Sequence, residues 1–301
     1  MIDAQNLTKK FDGGTAVEGL TFHIDEGEVF GLLGPNGAGK TTVRMLCCLI
    51  SKTGGEARIA DYEVGNTADS LKIRKMIGLV PDNVGLYNEL SAYENLDFYG
   101  KLYECPEKLR KENIEHFLKM LGLWEKKYVP AGTLSKGMKQ KLAIARALIH
   151  QPKVLFMDEP TANLDPEASK TVRDFILELK KEKRTIFLNT HNLDEAQRTC
   201  DRIGILKTRL LNIGTPEQLK ESLRGVKTEI QLAEVNDAIV SAVRKVTTHN
   251  VEVSDNKLII DVGNITDNPA IIEAIVSSGG RIQLVTELSP TLEDVYLKTV
   301  K

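Results

Sequence analysis

Between positions 34 and 42 the chain reads GPNGAGKTT, a glycine and four free positions followed by Gly39, Lys40 and Thr41. Residue types at that spacing suit a polyphosphate. The backbone N–H groups of a turn through Gly34, Asn36, Gly37, Ala38 and Gly39 can curl around phosphate oxygens, and the Lys40 ammonium reaches the outer phosphates. The Thr41 hydroxyl can ligate magnesium, and Thr42 follows at the same helix start. ATP or GTP binding is the chemistry this segment predicts.

A second set of residues suits hydrolysis. The apolar run VLFM at 154–157 ends in Asp158 and Glu159, followed directly by PTANLD. Asp158 can hold a magnesium shell through water, and Glu159 can polarise an attacking water; phosphoryl transfer needs mainly such positioning and charge cancellation. Another run, TIFL at 185–188, leads to His191. The segment LSKGMKQ at 134–140 places Ser135 as a helix cap, and a helix N-terminus offers unpaired N–H groups and a favourable dipole to an anion.

These residues need a frame that brings strand ends together. Residues 29–33, 154–157 and 185–188 have the length and composition of strands buried on both faces of a parallel sheet, and ligands collect beyond the carboxyl ends of such strands. A helix over 43–50 follows the glycine-rich turn. Between about 81 and 132 the pattern becomes helical: Ser91 and Glu94 form a capping box, and Ile114, Phe117, Leu118 and Leu121 share a helix face that Gly122 stops. The helix capped by Ser135 runs to about Ile149. The fold class predicted is α/β, with a small β layer at the start and a helical insert over about 82–150.

After Leu223 the texture changes. Strand at 229–233, helix at 237–246, a hairpin at 251–254 and 258–262, helix at 269–277 and strand at 281–285 give the order βαββαβ, which suggests a small ferredoxin-like α+β domain over 224–301. A last helix is expected with Ser289 as N-cap and Pro290 at its first position.

Composition narrows the function classes. In 301 residues, 40 Lys and Arg stand against 42 Asp and Glu, a net charge of -2, so no basic excess argues for nucleic acid as the main ligand. The start, MIDAQNLTKKF, lacks the pattern of a signal peptide, and no apolar run approaches the ~20 residues that span a bilayer. A cytoplasmic protein is expected. Cysteines at 47, 48, 105 and 200 make no metal or redox spacing, and Cys47 and Cys48 read as buried thiols of a helix.

Taken together, GPNGAGKTT, LSKGMKQ, FMDEP, ANLD and the strand ending in Thr190-His191 resemble the motifs of ATP-binding-cassette ATPases, in their order and spacing, over residues 1–223. Singly, Phe11 reads as core, His191 as a turn residue and Ser135 as a plain cap. The resemblance implies other roles: Phe11 stacking on adenine, Lys40 on phosphate, Thr41 and Asp158 with magnesium, Glu159 as general base and His191 contacting the γ-phosphate. Ser135 and Gly137 would face a phosphate bound by a second subunit, so the family implies a head-to-tail dimer sandwiching two ATP, with Asp165 at its seam. Two positions depart from the family pattern. Asp82 stands where Gln is usual, which puts direct magnesium ligation in question, and Lys136 replaces the commoner Gly.

A single cassette, no coiled-coil heptads and the ending SPTLEDVYLKTV are similar to the ATPase subunits of drug- and antibiotic-type exporters. That likeness implies a separate transmembrane permease as partner, holding the chain at the inner face of the membrane, with residues 84–87 lining the groove for a permease helix. The competing expectations are a cassette ATPase acting on nucleic acid or ribosomes, and a nucleotide-binding regulator without turnover, which Glu159 disfavours.

Overall fold

The computed structural model describes residues 1–34, 37–223, 226–262, 267–288 and 290–300. It divides into two compact units, Met1–Pro216 and Glu217–Thr299.

The first unit opens with two long strands, β1 (Ile2–Phe11) and β2 (Gly14–Ile24), then the buried β3 (Val29–Leu33) and α1 (Ala38–Leu46). Next come β4 (Gly54–Ile59), β5 (Tyr62–Glu63), α2 (Thr67–Met76) and β6 (Ile77–Val80). The helical segment holds α3 (Ala92–Leu102), α4 (Glu107–Met120) and α5 (Lys136–Leu148). The unit continues with β7 (Val154–Asp158), α6 (Pro166–Lys181), β8 (Thr185–Thr190), α7 (Leu193–Thr199), β9 (Arg202–Leu206) and β10 (Leu210–Gly214). Helix α8 (Pro216–Glu221) starts at the last residue of the first unit, and then come β11 (Val226–Leu232), α9 (Asp237–Val246), β12 (Val251–Ser254), β13 (Lys257–Val262), α10 (Asn268–Ser277), β14 (Ile282–Leu288) and α11 (Leu292–Val300).

Two sheets build the first unit. An antiparallel layer runs β2-β1-β4-β5, and a six-stranded sheet runs β10-β9-β3-β8-β7-β6 with β9, β3, β8, β7 and β6 parallel. Every residue of β3, β7 and β8 is buried, as a central strand covered on both faces requires. Between the sheets, Phe22 of β2 stacks on Phe30 of β3 at 5.5 Å, and Phe187 meets Phe30 at 5.8 Å and Phe156 at 5.5 Å. Each fully buried phenylalanine contributes about 1.5–3 kcal/mol from burial, so this cluster ties the β layer to the sheet that carries the site.

The helical segment begins with the expected capping box: Ser91 Oγ accepts from the Glu94 N–H, and Glu94 Oε2 accepts from the Ser91 N–H. Ser135 caps α5 by accepting from the Met138 N–H at 3.3 Å. The second unit has sheet order β12-β13-β11-β14, all antiparallel, with α9 and α10 supplying Ile239, Val243, Ile271 and Ile275 to its core. That order is the ferredoxin-like one.

Three local expectations are corrected. Helix α1 starts at Ala38 and stops at Leu46 rather than covering 43–50, because Gly37, with a φ of 120°, enters it directly and Cys48 adopts a positive φ of 54°. Cys47 is buried but Cys48 only partly so. Pro290 does not open the last helix: Thr291 caps it, with Thr291 Oγ1 accepting from the Asp294 N–H and Asp294 Oδ2 accepting from the Thr291 N–H. This reciprocal pair satisfies two backbone donors at once. The Ser289 cap lies outside the described residues.

Candidate active site

The carboxyl ends of β3, β7 and β8 lie side by side, with Leu32 and Asp158 both in register with Asn189. Helix α1 starts just beyond β3, so Gly37, Gly39, Lys40 and Thr41 gather at this end of the sheet. Gly34 follows β3 directly; Asn36, together with the Ala38 side chain, is outside the described residues. Thr41 Oγ1 donates to the Gly37 carbonyl at 3.0 Å and is partly exposed, whereas Thr42 is fully buried.

Asn189 joins the parts. Its Nδ2 donates to Asp158 Oδ1 at 2.7 Å, and a Cβ placed on Gly39 would fall 1.8 Å from its Oδ1. Position 39 therefore admits only glycine while Asn189 keeps this place. Asp158 is 8% exposed, and burial pushes its carboxyl up, opposed by the Asn189 hydrogen bond and the Lys40 charge. Glu159 is buried at the turn after β7 with φ 52°, a left-handed conformation that is uncommon for a residue with a side chain. Its N–H donates to the Asn189 carbonyl at 2.8 Å, and its Oε1 lies 2.8 Å from Nδ1 of the exposed His191.

Among the described residues, Lys40 has one direct acidic partner. Its Nζ donates to Asp82 Oδ2, and this hydrogen bond, with the charges of Asp158 and Glu159 adding and burial opposing, raises Lys40 above the ordinary lysine value. Asp82 belongs to the loop after β6, whose course is fixed by two side chains. Arg146 of α5 donates to the Val84 and Gly85 carbonyls and packs over the Tyr99 ring at 5.0 Å. The fully buried Asn95 accepts from the Tyr87 N–H and donates to the Tyr87, Leu90 and Ser91 carbonyls. Sequence reasoning passed over Asn189, Asn95 and Arg146. Only Asn189 left a signal, as a polar residue inside the otherwise apolar TIFLNT.

Phe11 is 51% exposed at the end of β1, with Lys9 Nζ 4.9 Å from its ring centre, so it is not part of the core. A cleft of about 330 Å³ is lined by Asp82, Asn83, Glu159, Asn163 and by Lys136, Lys139 and Gln140 of α5. Lys136 is thus a wall of the cleft that holds Glu159. Gly137 packs on the start of α6, where a Cβ would come 2.6 Å from that of Ala168, and Asp165 caps α6 by accepting from the Ala168 N–H at 2.8 Å. Among the described residues no group of three His, Cys, Asp or Glu side chains could hold a metal ion. The oxygen donors of Thr41 and Asp158 fit a hard cation that brings its remaining ligands with a nucleotide.

A glycine-rich turn entering a helix beyond a buried parallel strand, with an acidic pair at the end of a neighbouring strand, defines a nucleotide hydrolase of the phosphate-loop class. Residues 17–162 match the ABC transporter family, and residues 214–300 match the C-terminal domain of DrrA1-3-like ATP-binding proteins. The linearmycin resistance ATP-binding protein LnrL of Bacillus subtilis (strain 168) is 36% identical over 87% of this chain and 85% of its own. The Nod factor export ATP-binding protein I of Rhizobium sp. (strain N33) is 36% identical over 99% of this chain and 96% of its own. A dimeric ATP-binding cassette in a post-hydrolysis state with ADP and Pi aligns with a TM-score of 0.64 at 28% identity, covering 71% of this chain and 98% of that one. The chain belongs to the ABC transporter family and is an ATP-binding, ATP-hydrolysing subunit.

Proposed function

We propose that this chain powers a membrane exporter, as two copies that close head to tail over two ATP and act on a separate permease. The exporter reading is supported by relatives named for linearmycin resistance and Nod factor export, and the dimer by the dimeric cassette with ADP and Pi. No helix among the described residues is long and apolar enough to cross a membrane; we assign the translocation path to the partner. The single observation that carries the catalytic part is the geometry around Glu159, whose backbone N–H is held by the Asn189 carbonyl and whose buried carboxylate meets His191, at the sheet end where Lys40 and Asp158 meet.

In the reaction so read, a water oxygen bonds to the γ-phosphorus as the bond to the ADP oxygen breaks, and Glu159 takes the water's proton. Lys40 and His191 hold the γ-phosphate, Phe11 stacks on adenine, and Gly34 and residues 37–42 offer their backbone to the phosphates. Magnesium, when bound, offsets charge on the phosphate oxygens, and Thr41 and Asp158 are the residues that would hold it. Ser135 and Gly137 of one copy face the phosphate bound by the other. Asp165, capping α6 against which Gly137 packs, stands at the seam.

The permease groove is the face where Tyr87, 46% exposed, meets Phe98 edge-on at 5.1 Å beside the loop pinned by Arg146. The residue 224–301 domain is an accessory element of the same subunit. A cassette ATPase acting on nucleic acid or ribosomes finds no support in the relatives above. Co-purification from membranes tests the proposal: recovery of a multi-span permease with the tagged chain is expected, and an active chain that never associates with one would refute it.

A further inference from the structure

The Lys40–Asp82 contact opposes phosphate binding at this site. The Asp82 carboxylate occupies the ammonium on which a polyphosphate must act, and neither group is deeply buried, with side chains 29% and 50% exposed. The loop cannot simply carry Asp82 away. Val80 is fixed to Met157 in the sheet, and Arg146 holds the Val84 and Gly85 carbonyls, so the intervening residues are tethered on both sides.

Charge is unbalanced around this point. Asp82, Asp158 and Glu159 all act on the Lys40 ammonium, and Asp82 and Lys40 both act on Asp158, as does Arg44. Three carboxylates therefore share one close ammonium; Lys136 and Lys139 line the adjoining cleft. When a phosphate takes Lys40, the tethered Asp82 carboxylate is left without its partner and beside a further anion. Like charges a few Å apart repel strongly unless a cation intervenes. A neutral side chain at the same position carries no such penalty.

We propose that Asp82 is a specificity-determining residue that makes the site discriminate the cation-loaded nucleotide from the free one. This rests on the phosphate site proposed above. Two effects are separable. Parting Lys40 from Asp82 weakens binding of both nucleotide forms alike, whereas leaving the Asp82 charge beside the phosphates weakens binding of the metal-free form alone.

The test is calorimetric titration of the full chain with the non-hydrolysable analogue AMPPNP, in magnesium and in EDTA, for wild type, Asp82→Asn and Asp82→Gln. Thermal melting establishes that both variants fold, as a half-exposed loop position allows. In EDTA both variants are expected to bind about tenfold more tightly than wild type, while in magnesium the three agree within about threefold. The ratio of the two affinities thus shrinks about three- to tenfold in the variants. Equal gains in both conditions, or none, would overturn the role of Asp82 and leave it an anchor for Lys40. Failure of wild type to bind in either condition would instead overturn the nucleotide site itself.

Discussion

His191 Nδ1 lies 2.8 Å from Glu159 Oε1, a contact that joins the residue after β8 to the residue after β7. The exposed imidazole thereby fixes a buried carboxylate whose backbone is already held by Asn189. Removing the carboxylate's charge while keeping its shape should leave the nucleotide bound and the water unactivated. Glu159→Gln is therefore expected to lower ATP turnover by on the order of 10²–10⁴ with nucleotide affinity little changed, and to accumulate as a dimer in ATP. Phosphate release and light scattering measure the two effects; normal turnover would remove Glu159 from the role of general base.

Gly39 and Asn189 are coupled by space rather than by a bond. A methyl group at position 39 would sit 1.8 Å from Asn189 Oδ1, so Gly39→Ala must drive Asn189 off Asp158. Strain of this kind costs about 1–3 kcal/mol, and a melting-temperature fall of several degrees is expected. In an Asn189→Ala background the same substitution should cost far less. Additive losses in the double-mutant cycle would show that the two residues do not compete for one place.

The residues that chemistry marks out were legible because they sit in short contiguous motifs. The β3, β7 and β8 runs declare themselves by uninterrupted apolar character, and Ser91 and Ser135 by capping patterns that the structure forms. Illegible were contacts between distant segments. Arg146 reaches the Val84 carbonyl, Asn95 the Tyr87 backbone, and Asp82 the Lys40 ammonium, and nothing local to any of them announces its partner. Periodicity also overran a backbone effect: residues 47–50 stay apolar past the end of α1, but the positive φ of Cys48 ends the helix.

Glu195 of α7 is fully buried, and burial, with the charge of Glu159 adding, pushes its carboxyl above the ordinary carboxylate range. The folded state therefore holds this proton more tightly than the unfolded chain does. Stability is unaffected below the unfolded value, near 4.5, and declines as pH rises from there to the raised folded value. Glu195→Gln should abolish this part of the decline and stabilise the protein by on the order of 1 kcal/mol at neutral pH. Denaturant unfolding at pH 5 and pH 8 measures it, and a variant no more stable than wild type at pH 8 would contradict the buried-charge account.

Ser135 serves two ends that one substitution can separate. Its hydroxyl caps α5 through the Met138 N–H, and in the proposed dimer the same helix start faces the other copy's phosphate. Ser135→Asn keeps a capping group and should leave stability near wild type, whereas Ser135→Arg loses the cap, at about 1 kcal/mol, and adds bulk and charge at the helix entrance. Dilute Ser135→Arg protein should still bind ATP, because Lys40 and Asp158 lie on other elements of its own chain. Its turnover should no longer rise with protein concentration, since closure over the second copy is what the arginine obstructs. Retention of the wild-type concentration dependence in that variant would exclude the head-to-tail sandwich, whatever happens to its melting temperature.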